Sequence, residues 1–358
     1  MQYIYTFAAF LFSSSWLFAQ LTPVGYFYRT QWQLANPAAI DRILMSYHTT
    51  EHPDHHVTFN ARPQWHLNGV EGAPLTGFIS YENAPNRSTY RLFKKYPVRW
   101  GFTIFGDKTD LLRRYGLYGN YSYELRFKDP HRSGLTRALR IGLSAGVMQQ
   151  SVGILRPRNP ADPLIVRPPN VVAADVAFGL FYQRQKRHGN VSYWGLSLPG
   201  AYTGSISGNG RQYPFTQKFS RFYLMWGRYF ASRTRALGRD EGGLEWEPTI
   251  WLRGTPRQDF YYYTLFKDGG LPLTLEATLR MYLATDYDKP ARLWLGGGFG
   301  TNLVATAEGG MNFPVYRDGK GYRNLQIGLA YSMPVSKTLL QLGTTFECTA
   351  SLSLRGNK

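Results

Sequence analysis

The chain has 358 residues, of which 43% are hydrophobic, 16% aromatic and 18% charged, and its formal net charge is +18. Its mean hydropathy of -0.34 excludes a polytopic helical membrane protein, which would need repeated apolar runs of about 20 residues. The 26 Tyr, 22 Phe and 9 Trp exclude an intrinsically disordered chain, because such chains are poor in aromatic residues. The single Cys348 excludes an intramolecular disulfide and a multi-cysteine metal or iron–sulfur site.

The first 19 residues contain no charged side chain and include an apolar stretch over residues 7–12. This stretch precedes Ala19 and Gln20 and predicts a secretory signal peptide of residues 1–19 that is cleaved there. The missing Lys or Arg near the start is a departure from the usual pattern. A first apolar strand or an anchor helix is the alternative, although the run is short for a membrane span. We expect residues 20–55 to form an N-terminal segment on the periplasmic side.

From residue 56 onward, apolar and polar side chains alternate with a period of two, as in a sheet whose faces meet different surroundings. In the run over residues 271–283 every odd-numbered residue is apolar, and the even-numbered ones include Thr274, Glu276 and Arg280. Fifteen such runs are separated by turns rich in Gly, Asn, Asp and Pro. No amphipathic helix of useful length interrupts them, so the pattern predicts an antiparallel all-β meander and excludes parallel βαβ units.

The length of these runs favours a membrane barrel over a soluble sandwich or propeller. Soluble strands average about 5–6 residues, whereas tilted membrane-spanning strands need about 9–11. Aromatic residues near the run ends are typical of girdles at bilayer interfaces: Trp65, Trp100, Phe102, Phe105, Tyr223, Trp226, Tyr229 and residues 260–263. Because single-chain outer-membrane barrels have even strand numbers, one adjacent pair of runs is taken as miscounted. We predict one transmembrane barrel of about 14 strands over residues 56–354, followed by a tail at 355–358.

Five of the seven histidines lie in one short segment, as His48, His52, His55, His56 and His66. Imidazoles beside carboxylates bind zinc-like ions. However, Pro53 and the extended pattern after His56 point neighbouring side chains apart. A solvated turn is therefore the better prediction, and we expect neither a metal nor a cofactor.

Two further groups of residues are candidates for a binding or catalytic site. Glycine clusters at 106–108, 208–210 and 296–298 lack the strand-to-helix context of a phosphate-binding loop. Glu245 and Glu247 share one face of a run with Arg253, so a catalytic carboxylate pair is an alternative. On the luminal face of a barrel, Glu and Arg commonly neutralise each other. We therefore predict no catalytic residue.

The excess of 41 Lys and Arg over 23 Asp and Glu is concentrated at run ends and turns, at residues 91–95, 113–114, 183–188 and 233–239. An exported chain rarely meets nucleic acid, which is therefore not an expected partner. The clusters favour the phosphates of outer-membrane lipid and lipopolysaccharide, or an acidic protein surface. The sequence does not decide between lipid phosphates and an acidic protein surface as the partner of these clusters.

Several short strings occur in a fixed order before residue 183. They are Asn36-Pro37-Ala38-Ala39, Arg62-Pro63-Gln64-Trp65, Gly72-Ala73-Pro74-Leu75-Thr76, Gly106-Asp107-Lys108 and residues 116–123. With these strings the chain resembles the PorP/SprF family, outer-membrane proteins of the type IX secretion system of Bacteroidetes. It departs from the family at Ile40, where members usually soon show Gly, and in lacking a terminal aromatic residue on its last strand.

The resemblance implies a non-enzymatic component of secretion and gliding machinery. Such a protein binds or anchors a secreted cargo protein that carries a C-terminal sorting domain, and it contacts periplasmic type IX components. The polar inner faces alone also allow an outer-membrane diffusion channel or a transporter of lipids or other hydrophobic compounds. We expect the family-motif residues to be structural: Asn36, Pro37, Ala38, Arg62, Gln64, Trp65, Gly72, Ala73, Pro74 and Asp107. Arg62 and Gln64 would face the lumen, in a polar plug rather than in the alternative, a recognition site, and Trp65 would face outward.

Overall fold

The computed structural model describes residues 32–40, 55–64, 72–83, 98–109, 112–128, 136–152, 170–185, 190–208, 216–218, 221–231, 243–254, 273–284, 292–301, 303–316, 322–335 and 344–354. A short helix α1 (Trp32–Ala35) and a 3₁₀ turn (Pro37–Ala39) come first. The strands are β1 (His55–Pro63), β2 (Leu75–Asn83), β3 (Val98–Lys108), β4 (Leu112–Lys128), β5 (Thr136–Val152), β6 (Asn170–Gln185), β7 (Val191–Gly208), β8 (Thr216–Lys218), β9 (Phe222–Tyr229), β10 (Gly243–Gly254), β11 (Leu273–Ala284), β12 (Arg292–Gly300), β13 (Val304–Tyr316), β14 (Tyr322–Pro334) and β15 (Thr345–Leu354). No helix within these ranges is long and apolar enough to cross a membrane.

The strands form one closed antiparallel barrel. β15 pairs with β1, with Leu354 opposite His55, and this pairing closes the sheet. β8 and β9 both pair with β7 and together occupy one place in the ring, so the barrel has 14 strands. The predicted fold and strand number are confirmed, and the run at 259–266 lies outside the described residues. The barrel end that holds His55 and Leu354 is called the terminal end below, and the other the opposite end.

The period-two pattern separates an apolar outer face from a polar lumen. On β11, Leu275, Leu279 and Leu283 are exposed on the outside, whereas Glu276 and Arg280 are buried inside. A wall with this alternation meets lipid on one side and a polar interior on the other. The predicted alternation is therefore confirmed for β11.

The aromatic residues divide between the two faces. Trp100 and Trp226 are exposed on the outer face, whereas Phe105, Tyr223 and Tyr229 are buried in the lumen. Tyr223 and Tyr229 each lie three residues from Trp226, and an odd separation along a strand reverses the face. The prediction that these three buried residues belong to an interfacial girdle is therefore wrong. Trp65 and residues 260–263 lie outside the described residues.

Strand β7 is irregular in the middle of the wall. Its ladder with β9 ends at Ser197 and its ladder with β8 begins at Tyr202 in the same register, and residues 219–220 between β8 and β9 lie outside the described residues. The register with β6 shifts between Val176 and Phe178. Pro199 has no N–H to donate to a ladder, and Gly200 adopts a positive φ of 64°. Such features are typical of a bulge, where a strand bends.

Candidate functional site

Residues 32–40, called the plug segment below, lie inside the barrel along strands β2–β7. Asn36 organises the segment: its N–H donates to Trp32 O at 2.6 Å, and its Oδ1 accepts from the Ala38 N–H at 2.9 Å. Pro37 begins the 3₁₀ turn, a position where a missing N–H costs nothing. The Asn-Pro-Ala-Ala string thus folds as a compact turn capped by its own first residue. This described part of the segment predicted for the periplasmic side, residues 20–55, lies within the lumen.

Apolar contacts hold the first half of the plug segment. Trp32 is buried, with its ring centroid 5.4 Å from that of Phe181 and 5.3 Å from that of Tyr193. The same buried cluster contains Ala35, Ala38, Ala39, Tyr223, Met225 and Trp251. Burial of a side chain the size of Trp32 contributes about 2–3 kcal/mol. Part of the described lumen is thus a packed core and not an aqueous pore.

Glycines on the inner wall make room for the plug segment, because they have no side chain. A Cβ at Gly142 would lie 2.2 Å from Ala38 N, and one at Gly179 would lie 2.0 Å from Asn36 Oδ1. At Gly101 the added atom would lie 2.4 Å from Gln33 Oε1. Real Cβ atoms do not approach other atoms this closely. These glycines, together with Gly195, form what we call the glycine bed.

Hydrogen bonds attach the plug segment to strands on either side of the glycine bed. Asn36 Nδ2 donates to Leu180 O at 3.0 Å and to Leu196 O at 3.4 Å. Ser197 Oγ donates to Ala35 O at 2.6 Å. Gln33 Nε2 donates to Phe102 O at 3.3 Å. Polar groups of the segment therefore find partners on β3, β6 and β7, as buried polar groups require.

A buried charge cluster holds the end of the plug segment. Glu124 accepts from Arg99 and Arg140, each at 2.8 Å, and also pairs with Arg126. Arg99 and Arg140 in turn donate to Ile40 O, at 3.3 and 3.4 Å. Charge-assisted bonds of this kind are stronger than neutral ones. The two arginines therefore link the wall carboxylate to the last carbonyl of the segment.

The other luminal carboxylates are also partnered. Glu247 accepts from Tyr193 at 2.9 Å and from Tyr282 at 2.6 Å, and Tyr229 donates to Glu245. Arg253 pairs with Glu276 on the adjacent strand, and not with the two glutamates considered for a catalytic pair. These two carboxylates are thus held by tyrosine hydroxyls in the packed interior.

The remaining family-motif residues occupy several places. Arg62 and Gln64 are close together on the luminal side of the first strand, with the Gln64 oxygen accepting from Arg62 at 3.0 Å. Gly72 has a positive φ of 71°, and Pro74 O accepts from the Gln64 N–H at 2.9 Å, next to Ala73 in the approach to β2. Asp107 accepts from Thr76 Oγ1 at 2.8 Å and so joins β3 to β2. These residues surround no common site, and Trp65 lies outside the described residues.

The histidine segment is described only at His55 and His56, which face opposite sides of β1. His55 hydrogen-bonds with the Tyr81 hydroxyl at 2.7 Å, whereas His56 contacts Ser353 and Ser351 in the lumen. No group of three or more potential metal ligands occurs in the part of the chain that the structure describes. His48, His52 and His66 lie outside it.

Neither the glycine bed nor the Glu124 cluster was predicted from the sequence. A signal for both was present, because Gly142, Gly179 and Glu124 fall on inward positions of runs that are otherwise regular. A glycine in a strand interior commonly marks a close approach of another backbone. Its partner could not be identified from a period-two pattern, because Asn36 and Leu196 are 160 residues apart in sequence.

Substitution of Asn36 by Ala is expected to weaken the docking of the plug segment by about 1–3 kcal/mol. It removes the cap of the 3₁₀ turn, worth about 1 kcal/mol, and two buried hydrogen bonds of about 1 kcal/mol each. The measurement is the free energy of unfolding in lipid vesicles. Asn83→Ala, on the outer face at the end of β2, is the control. Equal stability of the two variants would contradict the assigned role of Asn36.

Comparison with known proteins gives one family and several barrels of similar architecture. The family model described as "Type IX secretion system membrane protein PorP/SprF" matches residues 46–352. No curated protein matches the chain. The solved structures it resembles include the "TodX deltaS2S3 mutant monoaromatic hydrocarbon channel", with 10% identity, a TM-score of 0.47 and coverage of 91% of this chain and 94% of that one.

Two other barrels show a similar likeness. The "CymD monoaromatic hydrocarbon channel" has 10% identity, a TM-score of 0.44 and coverage of 94% of both chains. A FadL homologue of Pseudomonas aeruginosa has 10% identity, a TM-score of 0.42 and coverage of 89% of this chain and 95% of that one. The family is established by the family model and not by these structures. The chain therefore belongs to the PorP/SprF family and is an outer-membrane component of the type IX secretion system.

Proposed function

We propose that the chain is a non-enzymatic, plugged scaffold that binds or anchors a secreted cargo protein through the cargo's C-terminal sorting domain. The observation that supports this function is the plug segment, which packs on six neighbouring strands and is bonded to the wall from both sides. We infer that a lumen filled in this way has no open aqueous path at that level. The surfaces left for partners are the two rims and the connections between strands, which a rigid wall holds in place.

The charge distribution supports partner binding at the rims. Within the described lumen, inward-facing acidic residues are about as numerous as inward-facing arginines. The acidic residues are Glu82, Asp107, Glu124, Asp175, Glu245, Glu247, Glu276, Glu308 and Glu347. The arginines are Arg62, Arg99, Arg114, Arg126, Arg140, Arg221, Arg253 and Arg280. The described lumen therefore contributes little to the net charge of +18. Basic rims attract acidic protein surfaces and raise the rate of association with them. Periplasmic type IX components would be contacted from one of these rims.

The test of this function is affinity purification of the tagged protein from outer membranes in mild detergent, followed by mass spectrometry. We expect to recover a large surface protein held by its C-terminal domain, or periplasmic components of the secretion system. An unrelated tagged barrel from the same membranes is the control for proteins recovered non-specifically. A barrel that is purified without partners and conducts a steady current would contradict the proposal.

An outer-membrane diffusion channel or a transporter of hydrophobic compounds is the second candidate. The observation that favours it is the bulge of β7 near Pro199 and Gly200, where the register with β6 shifts between Val176 and Phe178. A bend of this kind in a wall is a place where an apolar molecule can pass between lumen and lipid. The plug segment contacts the wall directly beside it, at Leu196 and Ser197. Uptake of an apolar dye into protein-containing vesicles, in the absence of any secretion partner, would favour this candidate.

A further inference from the structure

Three arginines on the outer face near the terminal end form one continuous row. Arg137 on β5 lies opposite Arg184 on β6, Arg184 lies opposite Ser192 on β7, and Ser192 lies opposite Arg228 on β9. Neighbouring strands are about 4.8 Å apart, so the three guanidinium groups share a strip about 15 Å long. This is called the arginine row below.

The arginine row concentrates positive charge on the outer face. Like charges directly opposite each other on adjacent strands destabilise a sheet, and Arg137 faces Arg184 in this way. No Asp or Glu faces outward on any of the strands that the structure describes. Neither Arg184 Nε nor Arg228 Nε donates a hydrogen bond within those residues, although the Arg228 guanidinium lies 4.5 Å from the Phe230 ring centroid. The row therefore favours a bound anion.

A small pocket lies within the row. Its volume is about 150 Å³, and it is lined by Arg184, Asn190, Ser192 and Arg228. The guanidinium groups, the amide and the hydroxyl are all groups that bind phosphate oxygens. The pocket thus combines a space for an anionic group with donors on several sides of it.

A row of aromatic side chains lies next to the pocket, two residues nearer the middle of the wall. Tyr182 lies opposite Trp194, and Trp194 lies opposite Trp226. The ring centroids of Tyr182 and Trp194 are 5.7 Å apart. Outward-facing Tyr and Trp residues mark the boundary between the acyl chains and the headgroups of a bilayer. The arginine row is therefore at the level of the headgroups.

We propose that the arginine row binds the phosphate group of an anionic phospholipid in the leaflet at the terminal end. The two longest connections, residues 153–169 and 255–272, are at the opposite end, and long connections are typical of the extracellular side. The terminal end then faces the periplasm, where the leaflet consists of phospholipid. The pocket holds two arginines, Arg184 and Arg228, and no Asp or Glu faces outward on the described strands. This favours a headgroup with net negative charge, such as that of phosphatidylglycerol, over a zwitterionic one.

Native mass spectrometry of the full chain, released from detergent after addition of phosphatidylglycerol, tests the proposal. Arg184→Gln/Arg228→Gln is expected to weaken lipid retention about tenfold, as follows from the loss of charge-assisted hydrogen bonds. The matched control is Lys108→Gln/Arg113→Gln, an outward-facing cross-strand pair at the opposite end, which is expected to retain the lipid as the parent does. Both variants change two surface charges, and heat-dependent gel mobility checks that both are folded.

Three results would overturn the proposal. The first is equal retention of phosphatidylglycerol by the two variants, and the second is equal retention of phosphatidylcholine and phosphatidylglycerol by the parent. The third is that lipid A or inorganic phosphate, and not phosphatidylglycerol, binds through Arg184 and Arg228. Because no secretion partner takes part, the outcome is independent of the proposed cargo-binding function.

Discussion

Replacement of Glu124 by Gln is expected to destabilise the folded barrel by about 3–5 kcal/mol, the cost of removing one partner from a buried charge cluster. Glu124 is the carboxylate shared by Arg99, Arg126 and Arg140. A neutral amide in its place leaves three guanidinium groups around a site with no negative charge. Arg99 and Arg140 also hold Ile40 O, so the end of the plug segment should loosen at the same time.

The free energy of unfolding in lipid vesicles, measured by denaturant titration, checks this expectation. Glu276→Gln is the matched control, because Glu276 pairs with one arginine, Arg253, among the described ion pairs, whereas Glu124 pairs with three. We expect the control to lose less than half as much stability as the Glu124 variant. A Glu124→Gln protein at least as stable as the control would show that the cluster does not support the barrel.

Substitution of Gly142 by Val is expected to drive the plug segment out of the glycine bed. The added Cβ alone would lie 2.2 Å from Ala38 N and 2.3 Å from Pro37 C, both backbone atoms that no side-chain rotation can move away. The two γ-methyl groups of Val add to the overlap. Because the wall has far more hydrogen bonds than the segment, we expect the segment to yield and the barrel to remain closed.

A cysteine at Ala35, introduced with Cys348→Ser, reports where the plug segment is. Ala35 is fully buried, so a membrane-impermeant maleimide should not label the cysteine in the parent but should label it completely in the Gly142→Val background. Gly119→Val is the control: Gly119 faces outward on β4, and the nearest atom to an added Cβ, Ala145 O, is 3.9 Å away. Labelling that is equal in the two backgrounds would contradict the glycine bed.

The sequence predicted the wall of the barrel but not its contents. Apolar and polar residues alternate regularly along β11 because one face of the strand contacts lipid and the other faces a polar interior. Whether a residue faces lipid or the lumen therefore follows from whether its number is odd or even. The same rule, applied strictly, would have placed Tyr223 and Tyr229 in the lumen, since each is three residues from Trp226. Predicting them as girdle residues relied on their residue type and ignored their position.

The plug segment has no comparable local signal. Its helix has four residues, which is too short for an amphipathic period, and its partners Leu180 and Leu196 are 144 and 160 residues from Asn36. The family resemblance singled out Asn36, Pro37 and Ala38 but gave them no location. Their place depends on inward-facing glycines of distant strands, and only the closed barrel brings these together.

Closure of the lumen by the plug segment is tested most directly by single-channel recording of the unaltered protein in planar bilayers. We expect inserted barrels to show no steady open current, because buried contacts hold residues 32–40 against strands β2–β7. Barrels with Gly142→Val should conduct under the same conditions, which shows that these conditions allow barrels to insert. A steady current through the unaltered protein would contradict the closed scaffold and favour the channel.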